Sequence, residues 1–294
     1  MPSLKEIKGR ISSVGSTLKI TSAMKMVSAA KLRKAQKAIG NMLPYEEQLQ
    51  RILLALIGDG PLPSSFLSPE TEDAPAKRPS VAYVCFSSNS ALCGGFNASV
   101  IRKAQEAVRE SVAAGAEVTV YSVGRKMADA MRREGFPSPH DYTELSAKCD
   151  YSGAAELGAE LVEGFRSGRF DKVELIYNHY KSSASQPTVR EQYLPLTGLP
   201  QTDGTPTGEA QREYIIEPDR MSEIERLLPE VLRLKIYGTL LDSATAEQAA
   251  RTVAMQMATD NAEALLADLT LEYNKSRQQK ITAEILDLEG GSLE

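Results

Sequence analysis

From Ser222 to Leu286 the chain keeps a helical apolar period, with no glycine stop between Gly238 and Gly290. At 1.5 Å per residue this run predicts a helix of roughly 100 Å, where an average globular helix has about three or four turns. A helix of that length cannot bury its apolar side within a domain of this chain's size. It has to pair along its length or insert into a partner. Ser222 and Glu225 form a capping-box pattern that marks its start, and Pro229 falls in an early turn.

The opposite end of the chain supplies a second helix. Leu4, Ile7, Ile11, Val14 and Leu18 step by 3, 4, 3 and 4, which is a heptad seam. The seam resumes in phase at Leu32, Ala35, Ile39 and Met42. Between the two stretches the in-phase positions are polar, Thr21, Lys25 and Ser28, and the apolar row shifts to Ile20, Met24 and Val27. Pro44 either kinks this helix or opens a second one, LPYEEQLQRILLAL. Two seam-bearing ends separated by an intervening domain predict an antiparallel two-helix coiled coil. The C-terminal helix is the longer, so one of its ends should project or thread into something else.

Between these helices lie segments that alternate in type. SVAYVCFSS, EVTVYSVG, KVELIYNHY and TVREQYLPL read as strands. NASVIRKAQEAVRESVAAG, RKMADAMRREG and AELGAELVEGFRSG read as helices. The alternation predicts a small Rossmann-like α/β domain. Proline-rich stretches bound it, with Pro61, Pro63, Pro69, Pro75 and Pro79 on one side and PLTGLPQTDGTPTG on the other. The expected organisation is an N-terminal coiled-coil helix over 1–57 and a linker over 58–79. The α/β domain follows over 80–200, then a linker over 201–221 and a C-terminal coiled-coil helix over 222–288.

Composition narrows the function classes. Aromatics are 6% and Trp is absent, a mix that favours long helices over one dense core. The cysteines, Cys85, Cys93 and Cys149, are odd in number and form no CxxC pair, which argues against a disulfide framework. His140 and His179 stand in no metal-ligand spacing, and no apolar run is long enough to cross a membrane. The chain carries neither GxxxxGK[ST] nor GxGxxG, HExxH or GxSxG, so no catalytic residue and no cofactor or metal site is expected. Gly94-Gly95, between a strand and a helix, reads either as a tight turn or as backbone N–H groups offered to an anion.

Charge is distributed unevenly. The first 40 residues hold nine basic side chains (Lys5, Lys8, Arg10, Lys19, Lys25, Lys31, Arg33, Lys34 and Lys37) against one acid, Glu6, although the whole chain carries −5. This is either the solvated face of a coiled coil or a positive track for an acidic partner. No aromatic interleaves with the track, as single-stranded nucleic acid would require. A second anomaly is the run from Asn274 to Lys280, polar on every face although it lies between Leu269/Tyr273 and Ile281/Ile285. It reads either as a local fray or solvated section, or as a polar collar docking against a protein that surrounds the helix.

The stretch SLKEIKGRISSVGSTLKITSAMKMVSAAKLRKAQ closely resembles the N-terminal helix of F-type ATP synthase gamma subunits of bacterial type. AEQAARTVAMQMATDNAEALLADLTLEYNKSRQQKITAEI resembles their C-terminal helix, and LCGGFN resembles their strand–turn signature. The resemblance runs the length of the chain in the family's order. Two departures stand out. Ser88, Asn89, Ser90 and Ala91 occupy the place of the family's usual Ser-Asp-basic-Gly, and an acidic tip, Leu286 to Glu294, replaces an apolar one.

The resemblance implies a non-catalytic rotor shaft that couples ion flow through the membrane c ring to ATP synthesis or hydrolysis. The implied partners are the α and β subunits, three copies of each per copy of this chain, with the epsilon subunit and the c ring. Nucleic acid is not among them, and the membrane is reached only through partners, on the cytoplasmic face of a bacterial inner membrane. Carried over residue by residue, Met24, Lys25, Lys31, Arg33, Lys34, Arg251, Arg277, Gln278 and Thr282 face the β subunits. Tyr214 and Glu217 lie at the foot near the c ring and epsilon. The small and flexible residues Ser22, Ala23, Met24, Met26, Ser28, Ala29 and Ala30 form a surface that partners slide past. The rival readings are a coiled-coil adaptor for another acidic protein and an enzyme sited in the α/β domain.

Overall fold

Apolar runs of seven residues make the sheet. β1 (Ser80–Phe86) is buried along its whole length, as expected for a central strand covered on both faces. β2 (Glu117–Val123) and β3 (Lys172–Asn178) pair with it in parallel, and β4 (Thr188–Leu194) closes the edge antiparallel to β3, giving the order β2-β1-β3-β4. This computed structural model describes residues 3–57, 66, 78–196, 216–217 and 219–290. The expected linkers lie mostly outside the described residues.

Alternation along β1 sends its side chains to two different cores. Val81, Tyr83 and Cys85 join Val100, Ala104, Ala107 and Val108 of α2 (Phe96–Ala113) and Met127 and Met131 of α3 (Arg125–Arg133). Ala82, Val84 and Phe86 face the larger core, which takes Leu157, Leu161 and Phe165 from α5 (Tyr151–Arg166). The same core takes Leu53, Leu56 and Ile57 from α1 (Leu4–Ile57), and Ile224, Leu228, Leu232, Ile236 and Leu240 from α6 (Arg220–Gly290). The long helices thus build one face of the domain. Two glycines permit the close approach. A Cβ on Gly158 of α5 would lie 3.2 Å from Arg233 Cα, and one on Gly238 of α6 would lie 3.1 Å from Met42 Cε.

The helix limits show where local signals prevailed. Pro44 sits inside an unbroken α1, so it neither ends that helix nor starts another. The N-terminal donors of α6 are taken by Asp219, not by the Ser222 box. Asp219 Oδ1 accepts from the Met221 and Ser222 amides at 3.0 Å, and Oδ2 accepts from the Ser222 hydroxyl at 2.6 Å. A short α4 (Thr143–Lys148) has no periodic signal in the sequence.

By internal packing the chain divides into two units, residues 31–250 and residues 1–30 with 251–294. Inside the second unit α1 and α6 run antiparallel. Thr259 Oγ1 donates to Thr21 Oγ1 at 3.0 Å, and Lys25 Nζ donates to Gln256 Oε1 at 2.7 Å. Ile7, Thr21, Ser28, Met255, Thr259, Ala262 and Leu269 are buried in the seam. The expected shift of the apolar row does not occur as an inward turn. Ile20 is 59% exposed and Val27 56%, while Thr21 and Ser28 are 8% and 2%. An unbroken helix keeps one heptad phase unless residues are inserted, so polar residues stay in the seam and the apolar ones point out. Each threonine is satisfied locally as well: Thr21 Oγ1 donates to the Leu18 carbonyl at 3.1 Å, and the single Thr259 hydroxyl proton is shared between Thr21 Oγ1 and the Met255 carbonyl, 2.8 Å away. Ser28, expected on the sliding surface, is part of the seam.

A buried carboxylate ties the sheet edge together. Glu174 on β3 is 4% exposed and receives Arg190 Nε of β4 and Lys172 Nζ at 2.6 and 2.5 Å. Arg190 reaches on to Glu110 of α2 at 2.6 Å and to the Tyr83 hydroxyl at 3.2 Å. Burial works to raise the Glu174 carboxyl, but the bonds from Arg190 and Lys172 outweigh it and hold it below its ordinary 4.5. A depressed carboxyl stabilises the fold above the unfolded-state value and loses that contribution as pH falls through the folded value. Glu174→Gln is expected to cost about 2 kcal/mol at pH 7, since it leaves two cations facing a neutral amide. The cost should shrink below about pH 4.5, where the unfolded chain no longer ionises this group. Urea denaturation of the two proteins at pH 7 and pH 4 checks both.

Candidate functional site

α/β sheets usually bind ligands at the carboxyl ends of parallel strands, where the chain leaves a central strand in opposite directions. Here that point lies between β1 and β3. Asn178, the last residue of β3 and fully buried, spans it. Its Nδ2 donates to the Phe96 carbonyl at the start of α2 at 2.8 Å, and its Oδ1 accepts from Thr188 Oγ1 at 2.6 Å. The preceding loop is equally occupied with itself. Asn97 Oδ1 accepts from the Ser88 amide at 3.1 Å, and the Ser88 hydroxyl donates to the Ser90 carbonyl at 2.6 Å. Asn89 joins the loop to its neighbours, donating to the Thr143 carbonyl at 2.9 Å and accepting from the Arg125 amide at 2.9 Å.

The Gly94-Gly95 turn serves packing. Gly94 has φ +59° and Leu92 φ +65°, and the reversal between them drives Cys93 and Phe96 down onto Ala246 of α6, with Ala250 and Tyr180 alongside. Of the two readings of this turn, the structure supports the tight turn, and adds that it seats the α/β domain against α6. Gly124, at φ +102°, is also obligatory, because a Cβ there would lie 2.2 Å from the Ser87 carbonyl oxygen. No group of His, Cys, Asp or Glu side chains among the described residues is arranged to hold a metal ion.

The residues marked for partner contact fall on the long helices. Met24 is half-buried, as is Lys25, whose ammonium is held by Gln256. Lys31, Arg33, Lys34 and Lys37 are exposed on α1. Arg251 is only 7% exposed, so packing within the chain already covers most of its side chain. Arg277, Gln278 and Thr282 are exposed on α6, and the Thr282 hydroxyl donates to the Gln278 carbonyl at 2.9 Å. Glu217 is exposed, and Tyr214 lies outside the described residues. The Thr21–Thr259 register brings Leu4, where α1 begins, opposite the turn of α6 near Ser276. The polar run from Asn274 to Lys280 therefore lies where the partner helix gives out, and all of it but Ser276 is exposed.

Sequence reading understated the outward apolar surface of this pair. Ile20, Met26 and Val27 of α1, and Met257, Leu265 and Leu271 of α6, are all exposed. Carrying the heptad count strictly through Thr21 and Ser28 would have revealed the α1 members.

A family model described as ATP synthase matches residues 3–293. An ATP synthase gamma chain of Phocaeicola vulgatus is 49% identical over the whole of both chains. The chain belongs to the ATP synthase gamma-chain family. Further gamma chains are similar, 48% identical in Bacteroides fragilis over the whole of both chains and 40% in Flavobacterium johnsoniae over 99% and 98% of the two. Solved structures share the fold. The rotor of the Euglena gracilis mitochondrial ATP synthase matches with TM-score 0.60 at 18% identity over 95% of this chain and 98% of that one. The central stalk and c-ring structure from Tetrahymena thermophila mitochondria matches with TM-score 0.54 at 20% identity, covering 81% and 99%. No described helix is long and apolar enough to cross a membrane.

In this family member the switch-point asparagine serves to close the sheet onto α2. Asn178→Ala is expected to destabilise the chain by about 1 to 2 kcal/mol, because it removes the buried bond to the Phe96 carbonyl and takes the acceptor from the Thr188 hydroxyl. Thermal denaturation followed by circular dichroism measures it, and a loss below about 0.5 kcal/mol would show that solvent reaches this point.

Proposed function

We propose that this chain is the central rotor stalk of an F-type ATP synthase, a non-catalytic subunit that links ion flow through the membrane sector to the nucleotide sites of the catalytic ring. Membership of the gamma-chain family over the full length supplies the frame. The observation that carries the reading is the apolar surface left outside the α1–α6 pair of residues 4–30 and 251–286. Its seam buries Ile7, Met255, Ala262 and Leu269 together with the polar Thr21, Ser28 and Thr259, yet Ile20, Met26, Val27, Met257, Leu265 and Leu271 turn outward. A free coiled coil keeps its outer positions mostly polar. Apolar residues kept outside on both helices suit a stalk that other subunits enclose.

The finer reading assigns partners by chemistry. Lys31, Arg33 and Lys34 form an exposed cationic stretch for an acidic loop of the β subunits, with Met24 and Lys25 just above it in sequence. Arg251, Arg277, Gln278 and Thr282 meet the β subunits further along α6, the exposed polar run acting as a collar. Tyr214 and Glu217 belong to the foot, near the c ring and epsilon. The chain takes no cofactor, binds no nucleic acid and reaches the membrane through its partners, on the cytoplasmic face of a bacterial inner membrane.

Stoichiometry tests the assignment. Purified with its native partners, the chain is expected once per three copies of each of two larger nucleotide-binding subunits, as read by native mass spectrometry. Equimolar recovery with a different partner would favour the adaptor. The cationic stretch is tested by reversing Lys31, Arg33 and Lys34 to Glu together. Coupled ATP turnover should fall while the melting of the α/β domain stays unchanged, since all three side chains are exposed. A single reversal is expected to show little, because exposed charge pairs contribute about 0–1 kcal/mol each. Full turnover and assembly in the triple variant would remove the electrostatic contact.

A further inference from the structure

The turn between β3 and β4 reaches both long helices. The Tyr180 amide donates to Asp242 Oδ1 of α6 at 2.8 Å, and His179 Nδ1 lies 2.6 Å from Asp242 Oδ2. A carboxylate only accepts, so His179 donates from Nδ1. Two successive residues of the turn therefore hold both oxygens of one carboxylate on α6. From α1, Gln36 Nε2 donates to the Tyr180 hydroxyl at 3.0 Å. The Tyr180 ring packs beside Cys93, Phe96, Ala246 and Ala250. All of these residues belong to the unit of residues 31–250, and Gln36 and Ala246 lie near its two ends in sequence.

The chemistry differs from that of the rest of the contact. Lower down, the helices meet the sheet through Leu53, Leu56, Leu228, Leu232 and Ile236, whose apolar contacts resist separation but have no preferred direction. Hydrogen bonds to an ionised carboxylate are stronger than neutral ones and fix an angle. We propose that the β3–β4 turn is a latch that transmits twist between the α/β domain and both helices, with Asp242 and Tyr180 as positioning residues for rotary coupling. The inference rests on the rotor reading above and names a place where torque passes within the chain.

Asp242→Ala removes both bonds to α6. Tyr180→Phe removes the bond to α1 and keeps the ring. Each variant is assembled in the complete complex in inverted membrane vesicles, and ATP hydrolysis and ATP-driven uptake of proton or sodium are read on the same sample. The expected result is hydrolysis at the unmutated rate with a loss of ions taken up per ATP, deeper for Asp242→Ala than for Tyr180→Phe. Both variants at the unmutated ratio would overturn the latch. So would a parallel fall of hydrolysis and uptake, the signature of a merely structural residue. If Asp242→Ala does not assemble, Tyr180→Phe decides alone. Hydrolysis at the unmutated rate with fewer ions taken up per ATP supports the latch, and an unmutated ratio overturns it. Failure of the rotor reading looks different, because the unmutated chain would then be missing from any complex that couples hydrolysis to ion uptake.

Discussion

A helix of 71 residues has an apolar side that it cannot bury alone, and the rest of the structure answers that constraint. In the unit of residues 31–250 the early part of α6 covers a sheet face together with α5 and the end of α1, and the burial resembles that of an ordinary domain core. In the unit of residues 1–30 and 251–294 only α1 is available. Two helices cover a single seam and leave the remaining surface of each outside. The same polypeptide element is thus a core helix at one end and half of a thin pair at the other.

That difference explains where polar groups are placed. Along the thin pair the seam accepts threonines because each hydroxyl is satisfied by a carbonyl one turn back, and the two meet each other. Such satisfied pairs are compatible with burial and fix register. Within the domain the buried polar groups work differently. Glu174 and Arg190 brace the sheet edge, and Asn178 joins β3 to the start of α2. The point at which similar sheets hold a nucleotide is used here for internal bonds and for seating α6 through Cys93 and Phe96. In this gamma-chain family member the sheet thereby positions two helices.

Much of this was legible from residue spacing. Strands rich in Val, Tyr and Ile, and helices with a 3.6-residue period, stand in the sequence in the order in which the structure has them. Long motifs at both ends already resembled the gamma-chain family. The failures have physical causes. α4 is six residues long and shows no period. Asp219 outcompeted Ser222 as the cap because its carboxylate accepts from two amides and the Ser222 hydroxyl at once. Ile20 and Val27 looked like a relocated seam because apolar residues usually lie inside, yet they lie outside, since an uninterrupted helix cannot change phase.

The sequence by itself determined two long helices, a strand–helix domain between them and a family, because periodicity and local motif are properties of neighbours along the chain. Tertiary structure alone decided which apolar residues stay outside, what the Gly94-Gly95 turn is for, and that Tyr180 and His179 meet Gln36 and Asp242. These depend on helix phase and on pairs separated by 60 or more positions, such as His179 with Asp242. No local rule of spacing encodes such pairs. Only the closed packing of the sheet against two helices brings them within hydrogen-bond reach.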